Sequence, residues 1–211
     1  MRRKIYQGLM ALLIFLTVIL ANTIFIFHDD GFVDSEFEKF STKNIVKNAT
    51  GIDKEIRDYL TGESREIETD FLNAKEKKHL EDVKRLVTMG RILLGLFIFV
   101  IVVLLFEFKR TEIAKIGNFL GVYLILFVLA SFIVIYNFDF FFDLFHRLFF
   151  TNDLWMMGPQ DKITLLYPAR FFLDAGIAIG RRSAVWLLII LAILNAGFFI
   201  RQFRRLKSFR K

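Results

Sequence analysis

Residues 116–136 of the chain read IGNFLGVYLILFVLASFIVIY, an apolar run that contains no charged side chain. A helix of about 20 such residues is long enough to cross the hydrocarbon core of a bilayer. Three further runs, at residues 5–27, 91–108 and 184–200, are apolar over comparable lengths. The sequence therefore predicts an all-α integral membrane protein, with one membrane domain built as a bundle of four transmembrane helices.

The composition supports this fold class and excludes several kinds of site. Hydrophobic residues make up 55% of the 211 residues, and 27 of them are Phe. A net charge of +7 in such a chain reports membrane topology and lipid contact, so no nucleic-acid partner is predicted. The chain contains no cysteine, which excludes disulfides, thiolate metal sites and a cysteine nucleophile. Neither a cofactor nor a bound metal is predicted.

The distribution of basic residues predicts how the chain crosses the cell membrane. Residues 1–4, 109–115 and 201–211 together hold 12 Lys and Arg, whereas residues 28–89 carry a net charge of −4. Basic segments stay on the cytoplasmic side. We therefore expect both termini to be cytoplasmic, and residues 28–90 and 137–183 to face outward and form an extracytoplasmic cap.

Two features of the sequence complicate this topology. The basic start followed by residues 5–27 resembles a signal peptide, but the run is too long and lacks a small-x-small cleavage site, so we expect a retained helix. Arg181 and Arg182 are basic residues in a segment that is predicted to face outward. We interpret them either as residues that snorkel to the interface or as contacts to lipid headgroups.

The two outward segments differ in character. In the first, apolar residues recur near a 3.6-residue period between Glu66 and Val87, which predicts one helix there, preceded by turns at residues 44–51 and 61–64. The second contains residues 138–168, FDFFFDLFHRLFFTNDLWMMGPQDKITLLYP, in which aromatic residues alternate with scattered charges. This mixture is typical of the membrane–water boundary.

Each outward segment carries one histidine away from the end of a span. His146 lies in the aromatic stretch, where the simplest interpretation is an interfacial helix with a histidine on its solvent-exposed edge. His79 has Glu76 and Asp82 three residues to either side, so a helix places all three on one face. A carboxylate there could bind one imidazole nitrogen and fix its tautomer. The alternative for His79 is an incidental residue on a charged, solvated helix face.

The predicted topology brings His79 and His146 to the same side of the membrane. Two imidazoles that share a site can act as base and acid in one acyl transfer. His28, beside Asp29 and Asp30 at the end of the first span, is interpreted as a boundary residue. Three dispersed histidines do not favour a zinc site, although His79, His146 and a carboxylate could in principle form one.

Other classes of protein find less support in the sequence. It contains no glycine-rich phosphate loop, no Gly-x-Ser-x-Gly nucleophile elbow and no His-Glu-x-x-His motif. The predicted spans are almost free of charge, which does not favour a transporter.

The residues around the two histidines resemble a known family. Residues 145–155, FHRLFFTNDLW, followed by Pro159, Asp161 and the pair Tyr167-Pro168, resemble the lipoprotein intramolecular transacylases, small four-span membrane proteins of low-GC Gram-positive bacteria. Residues 59–62, YLTG, and residues 76–83, EKKHLEDV, resemble the first outward loop of the same family.

The resemblance implies a reaction, its partners and a set of site residues. Members move the sn-2 acyl chain of a diacylglyceryl-modified lipoprotein to the amine of its own N-terminal cysteine, which leaves an N-acyl lyso-lipoprotein. Diacylglyceryl lipoproteins and membrane lipids are thus the expected partners. The family's proposed catalytic pair corresponds to His79 and His146, on the extracytoplasmic face. Supporting residues, of which Asn152 is a candidate donor to the oxyanion, are expected to be Tyr59, Glu76, Asp82, Asn152, Trp155 and Asp161.

Two other functions stay open at this point. The first is an outer-leaflet lipid hydrolase, in which water replaces the amine as nucleophile at the same two histidines. The second is a non-enzymatic accessory membrane protein, in which both histidines are interfacial bystanders.

Overall fold

A computed structural model of the chain describes the backbone of residues 2–106 and 110–208, and the side chains among them up to Ala196 except those of residues 110–112 and 114. The described residues form α-helices and loops, with one 3₁₀ turn at Ile26–His28 and no strand. The all-α prediction is confirmed. The helices are α1 (Arg2–Phe25), α2 (Asp30–Lys39), α3 (Thr42–Ile45), α4 (Ala49–Thr61), α5 (Ala74–Leu105), α6 (Arg110–Tyr136), α7 (Phe138–Phe149), α8 (Lys162–Leu166) and α9 (Ala169–Ser208).

Four of these helices have the length and composition of membrane spans. The segments are Arg2–His28, Ala74–Leu105, Lys115–Tyr136 and Ala169–Ala196. Their large apolar side chains are mostly not covered by protein, as Ile92 and Phe99 of α5 illustrate with exposures of 68% and 65%. Lipid, rather than water, is the solvent in which such a surface is stable. The predicted set of four transmembrane helices is therefore confirmed.

The boundaries of α5 and α9 differ from the prediction. The expected helix over Glu66–Val87 does not begin at Glu66; residues 64–73 form no helix, and α5 begins at Ala74. It then continues without a break through the predicted second span to Leu105, because no proline interrupts it. Likewise α9 begins at Ala169, so the segment before the fourth span is part of the same helix. The apolar part of α5 begins at Ile92, after a charged first half.

The chain divides into two compact units. The first comprises residues 1–22, 93–133 and 180–211 and contains the apolar parts of the spans. Among its described residues, fully buried apolar side chains come from α1 (Met10, Ala11), α6 (Ile116, Leu120) and α9 (Leu187). A Cβ atom on Gly117 would lie 2.7 Å from Asn195 Nδ2, so a larger residue there would require the Asn195 side chain to move.

The second unit comprises residues 23–92 and 134–179. It contains the short helices α2, α3, α4, α7 and α8 together with the charged half of α5 and the first turns of α9. Its apolar core is assembled from five helices, because each short helix buries its apolar face against its neighbours. Representative members of that core are Phe37, Ile56, Leu80, Leu166 and Phe171.

A charged cluster lies inside this second unit. Asp53, only 1% exposed, accepts hydrogen bonds from Arg57 Nε at 2.8 Å and from the Tyr167 hydroxyl at 2.7 Å. Arg57 also donates to the Phe27 carbonyl at 3.0 Å and to Asp30 at 2.6 Å. Burial raises the pKa of the Tyr167 hydroxyl well above its usual value, so this group remains a donor. The cluster ties the chain that leaves α1 to α4 and to Tyr167, the residue that follows α8.

Candidate active site

The amphipathic helix α7 places the first site residue. Asp139, Asp143, His146 and Arg147 recur on one side of the helix, and His146 is the member that is buried, with 9% of its surface exposed. Its Nδ1 lies 2.7 Å from the carbonyl oxygen of Phe142, one turn earlier. Because a carbonyl oxygen only accepts hydrogen bonds, Nδ1 must carry the proton. The Nε2 atom of a neutral His146 therefore has a free lone pair.

The second turn of α5 places the other histidine. His79 is 8% exposed, and its ring centroid lies 6.3 Å from that of His146, with 33° between the ring planes. Among the described residues, no group forms a hydrogen bond with the buried Nδ1 of His79. No hydrogen bond joins either neighbouring carboxylate to this ring in the described structure, so neither Glu76 nor Asp82 fixes its tautomer there. A buried nitrogen without a partner is costly, which makes this atom a candidate for contact with a substrate.

Glu76 is fully buried and has other partners. One carboxylate oxygen accepts the backbone N–H of Asn73 at 2.7 Å, while the Asn73 side chain accepts the N–H of Glu76 at 3.0 Å. This reciprocal pair is a capping box, which explains why α5 begins at Ala74. The other carboxylate oxygen accepts the N–H of Ile163 at 3.0 Å. Glu76 thus supports the site by joining the starts of α5 and α8.

Asp82 and Asn152 form the second connection. The Asn152 amide donates to Asp82 Oδ2 at 2.9 Å, and the Arg85 guanidinium donates to Asp82 Oδ1 at 3.2 Å. Nearby, Lys75 Nζ donates to the carbonyl of Met156 at 2.7 Å. Together with Glu76, these contacts hold the loop that follows α7 against the first turns of α5. The two histidines are therefore brought together by polar contacts that surround them and do not involve their rings.

Aromatic rings enclose the pair. Trp155 stacks on His146 with 4.9 Å between centroids and 27° between planes, and Phe142 packs at 4.4 Å. Phe150 contacts both rings, at 5.1 Å from His79 and 5.5 Å from His146. Nothing in the sequence patterns singled out Phe150, although it lies inside the motif that contains His146. These aromatic rings leave only 8% of His79 and 9% of His146 exposed.

The electrostatics of the pair follow from this enclosure. Burial lowers the pKa of His79 to about 4, and the proximity of His146 acts in the same direction. Burial also lowers the pKa of His146 below its usual value. His79 lies in the charged first half of α5 and His146 lies in α7, so both are outside the apolar parts of the spans. Both imidazoles are therefore neutral at neutral pH and available to accept protons.

The remaining predicted residues lie away from the histidines. Tyr59 packs in the core with Lys84 Nζ 3.7 Å from its ring centroid, and Asp161 accepts the N–H of Gly158 at 2.6 Å in the turn before α8. No hydrogen bond or ring contact within the described part of the second unit joins either to His79 or His146. The described side chains also contain no cluster of three or more His, Asp and Glu residues arranged to hold a metal ion.

Known proteins resemble the chain along most of its length. The family model for the lipoprotein intramolecular transacylase Lit matches residues 8–172. The solved structure of the membrane integral lipoprotein intramolecular transacylase Lit from Bacillus cereus matches with a TM-score of 0.78 and 19% identity, covering 96% of this chain and 98% of that one. The same protein with a histidine-to-alanine mutation matches with a TM-score of 0.74 and 18% identity, over 96% of each chain.

The two kinds of similarity support different statements. No match was found among curated protein sequences. At 18–19% identity, the structural matches show that the fold is shared. The family model covers residues 8–172, well over half of the chain. The chain is therefore an integral membrane acyltransferase that belongs to the lipoprotein intramolecular transacylase family, Lit.

Proposed function

We propose that the chain moves the sn-2 acyl chain of a diacylglyceryl lipoprotein to the amine of that lipoprotein's own N-terminal cysteine, and that His79 and His146 carry the proton transfers. The observation behind this proposal is the pair itself: two buried, neutral imidazoles 6.3 Å apart, one with a free lone pair and one with an unpartnered nitrogen. No hydrogen bond joins the two rings, so a reacting group held between them can contact both.

The proton balance of the reaction suits two neutral imidazoles. An N-terminal amine, whose usual pKa is about 8, is mostly an ammonium group at neutral pH and loses two protons in becoming an amide. His79 accepts the first proton, and His146 Nε2 accepts the second as the C–N bond forms. When the ester C–O bond breaks, His79 returns its proton to the glyceryl oxygen. His146 releases the other to water, which restores the starting state.

The low pKa of His79 has a defined use in this sequence. A group whose pKa is about 4 is a strong acid once it is protonated, so it delivers a proton readily to a departing alkoxide. His146 has the opposite requirement, and the Phe142 carbonyl keeps its Nε2 unprotonated and ready to accept. On this proposal His146 is the base for the attacking amine, and His79, after accepting the first proton, is the acid for the departing glyceryl oxygen.

Asn152 is the proposed donor to the oxyanion that forms on the acyl carbon. Its amide nitrogen carries two hydrogens, and the contact with Asp82 uses one of them. Its own carbonyl oxygen accepts the N–H of Leu154 at 3.0 Å, which fixes the orientation of the amide. An oriented donor of this kind needs no reorganisation when charge develops, and that is what makes oxyanion stabilisation effective.

The enclosure of the site favours an amine over water as nucleophile. Both histidines are more than 90% buried in an aromatic shell, and the amine that attacks is attached to the ester's own molecule. Holding two reacting groups together gives effective concentrations of roughly 10⁵–10⁸ M in good cases. Bulk water cannot compete with that concentration in a dry pocket, so transfer is preferred over the hydrolysis that the sequence left open.

We place this site on the extracytoplasmic face of the cell membrane, with residues 28–90 and 137–183 outward and both termini cytoplasmic. The support is the distribution of basic residues. Because the chain has no cysteine, single thiols report topology without background. Glu68→Cys should react with an impermeant thiol reagent in intact cells, whereas Glu112→Cys should react only after the membrane is opened. The reverse pattern would overturn the assignment.

The transfer itself is tested by a crossover experiment. A synthetic diacylglyceryl lipopeptide with a labelled sn-2 chain is mixed with an unlabelled lipopeptide of different peptide mass, and the purified protein is added. The label should appear as an amide only on the peptide that brought it. Label on the other peptide would show intermolecular transfer, release of labelled fatty acid would show hydrolysis, and no product at all would show an accessory role.

A further inference from the structure

Among the ring contacts of the described residues, Phe150 is the phenylalanine that meets both histidines. It exposes 7% of its surface, meets His79 edge to face with 5.1 Å between centroids, and meets His146 at 5.5 Å. No sequence pattern assigns it a role. Its position against both rings makes it part of the geometry that the proposed reaction requires.

The segment that carries this ring is attached on both sides. Phe150 is the C-cap residue that follows α7, and its N–H donates to the carbonyl of His146 at 2.8 Å. Two residues later, the Asn152 amide is bonded to Asp82, one turn after His79 on α5. The segment 150–152 is thus attached at one end to the helix of one histidine and at the other end to the helix of its partner. Phe150 cannot follow one imidazole without the other.

The space that Phe150 occupies lies beside the reacting groups. Among the described residues, the ring of His79 makes ring contacts with His146 and Phe150 only. A smaller side chain there leaves a void against the imidazole of His79, a ring whose Nδ1 has no hydrogen-bond partner among the described residues. A void that has a polar group in its wall can admit water, whereas a purely apolar one stays dry.

We infer that Phe150 is a positioning and specificity-determining residue, which holds the two imidazoles at their working separation and keeps water out of the space between them. The inference rests on the proposed acyl transfer. It adds that Phe150 decides whether the amine or water acts as the nucleophile. In both outcomes the sn-2 ester C–O bond breaks and the glyceryl oxygen gains a proton. With the amine a C–N bond forms and yields the N-acyl lyso-lipoprotein. With water a C–O bond forms and yields a free fatty acid and a lyso-lipoprotein whose amine is unmodified.

The ratio of these two products separates positioning from general structural support. The purified full chain in lipid nanodiscs is given a synthetic diacylglyceryl lipopeptide, and N-acyl lyso-lipopeptide and free fatty acid are both quantified. Phe150→Val should raise the ratio of fatty acid to amide by roughly 10- to 100-fold, the cost expected when a reacting group is misplaced by about 1 Å. Phe150→Leu, which refills much of the space with apolar atoms, should restore the ratio toward the wild-type value.

Phe37→Val is the matched control. Phe37 is a fully buried phenylalanine in the same unit, and it packs on Tyr167 and Phe171 instead of on a histidine. Its replacement should lower the melting temperature and leave the product ratio unchanged. If Phe150→Val slows both products equally, or if Phe37→Val changes the ratio as much, Phe150 has only a structural role. If the wild-type protein forms no amide, the proposed function fails, whatever the Phe150 variants do.

Discussion

The second unit contains two buried polar clusters that differ in how completely they are satisfied. In the cluster around Asp53, both carboxylate oxygens are bonded, and all three guanidinium nitrogens of Arg57 have partners. In the histidine pair, His79 Nδ1 has no partner and His146 uses one of its two nitrogens. The burial is similar, with Asp53 at 1% and the histidines at 8% and 9%. Burial alone therefore does not tell a structural cluster from a reactive one.

The difference lies in what each cluster contributes to stability. A buried ionic group with a full set of partners is strongly destabilised when one partner is removed, because the other is left unpaired. An imidazole that lacks a partner already bears that cost in the folded protein, so its removal takes little stability away. The satisfied cluster should therefore control folding, and the unsatisfied pair should control the rate of acyl transfer. Each prediction below tests one side of this division.

The largest effect should come from the histidines. His79→Ala and His146→Ala should each lower the rate of amide formation by about 10²–10⁴-fold, the usual contribution of general acid–base catalysis. The melting temperature should change little, which a thermal unfolding curve in detergent will show. Since base and acid serve one sequence of proton transfers, the double variant should be little slower than either single one. His28→Ala, at a histidine 4.0 Å from Glu63 and outside the pair, is the control with normal activity.

Asp53→Ala should have the largest effect on stability. It leaves the Arg57 guanidinium and the Tyr167 hydroxyl without their buried acceptor, which should lower the free energy of unfolding by about 3–5 kcal/mol. Asp58→Ala on the same helix removes a partly exposed ion pair with Lys54 and should cost at most about 1 kcal/mol. Equal losses in the two variants, measured by denaturant unfolding, would contradict the distinction between the clusters.

Glu76→Gln should have an intermediate effect on stability. The amide keeps one acceptor oxygen but places an NH₂ group against either the Asn73 or the Ile163 N–H, so one buried donor loses its partner. The expected loss is about 1–3 kcal/mol. Glu81→Gln, at an exposed position of α5 that pairs with Lys78, should change stability by less than about 0.5 kcal/mol. An unfolding free energy for Glu76→Gln equal to that of the wild type would show that the capping box is dispensable.

Acidification should act through the histidine pair and produce the mildest change. The folded-state pKa values of His79 and His146 lie below the usual histidine value of 6.5, and that of His79 is about 4. Below pH 6.5 the unfolded chain binds protons that the folded chain does not, so their contribution to stability falls as the pH drops from 6.5 to about 4 and then levels off. His79→Gln lacks this group and should show a shallower decline of the unfolding free energy than the wild type. Identical pH profiles would contradict a neutral, buried His79.

The membrane fold could be predicted because hydropathy is a local property. The apolar run at residues 116–136 contains enough information to identify a span by itself. Helix boundaries required more than periodicity. The pattern over Glu66–Val87 suggested a helix that starts too early, whereas Asn73 and Glu76 form a capping box whose signature is visible in the sequence. Periodicity also gave no reason to join that helix to the span at residues 91–108, since it does not report whether two segments are continuous.

The candidate site residues could be named from the sequence, but their contacts could not. Helical spacing places Glu76 and Asp82 on the same face as His79, but proximity does not show which partner a carboxylate will take. Both are occupied by groups distant in sequence, the N–H of Ile163 and the amide of Asn152. The importance of Phe150 was hidden for the same reason. One phenylalanine among 27 has no distinguishing local pattern until the fold places it between two imidazoles.

The hydrogen bond from His146 to the carbonyl of Phe142 has a consequence for the genetics of the enzyme. In many catalytic sites a second side chain fixes the tautomer of the base, so one codon change can remove that control. Here the acceptor belongs to the main chain of the same helix, and every amino acid at position 142 supplies it. The tautomer of His146 is thus fixed by the helix itself. Suppressor or loss-of-function screens should therefore recover changes in ring packing at this position, but none that reverses the tautomer.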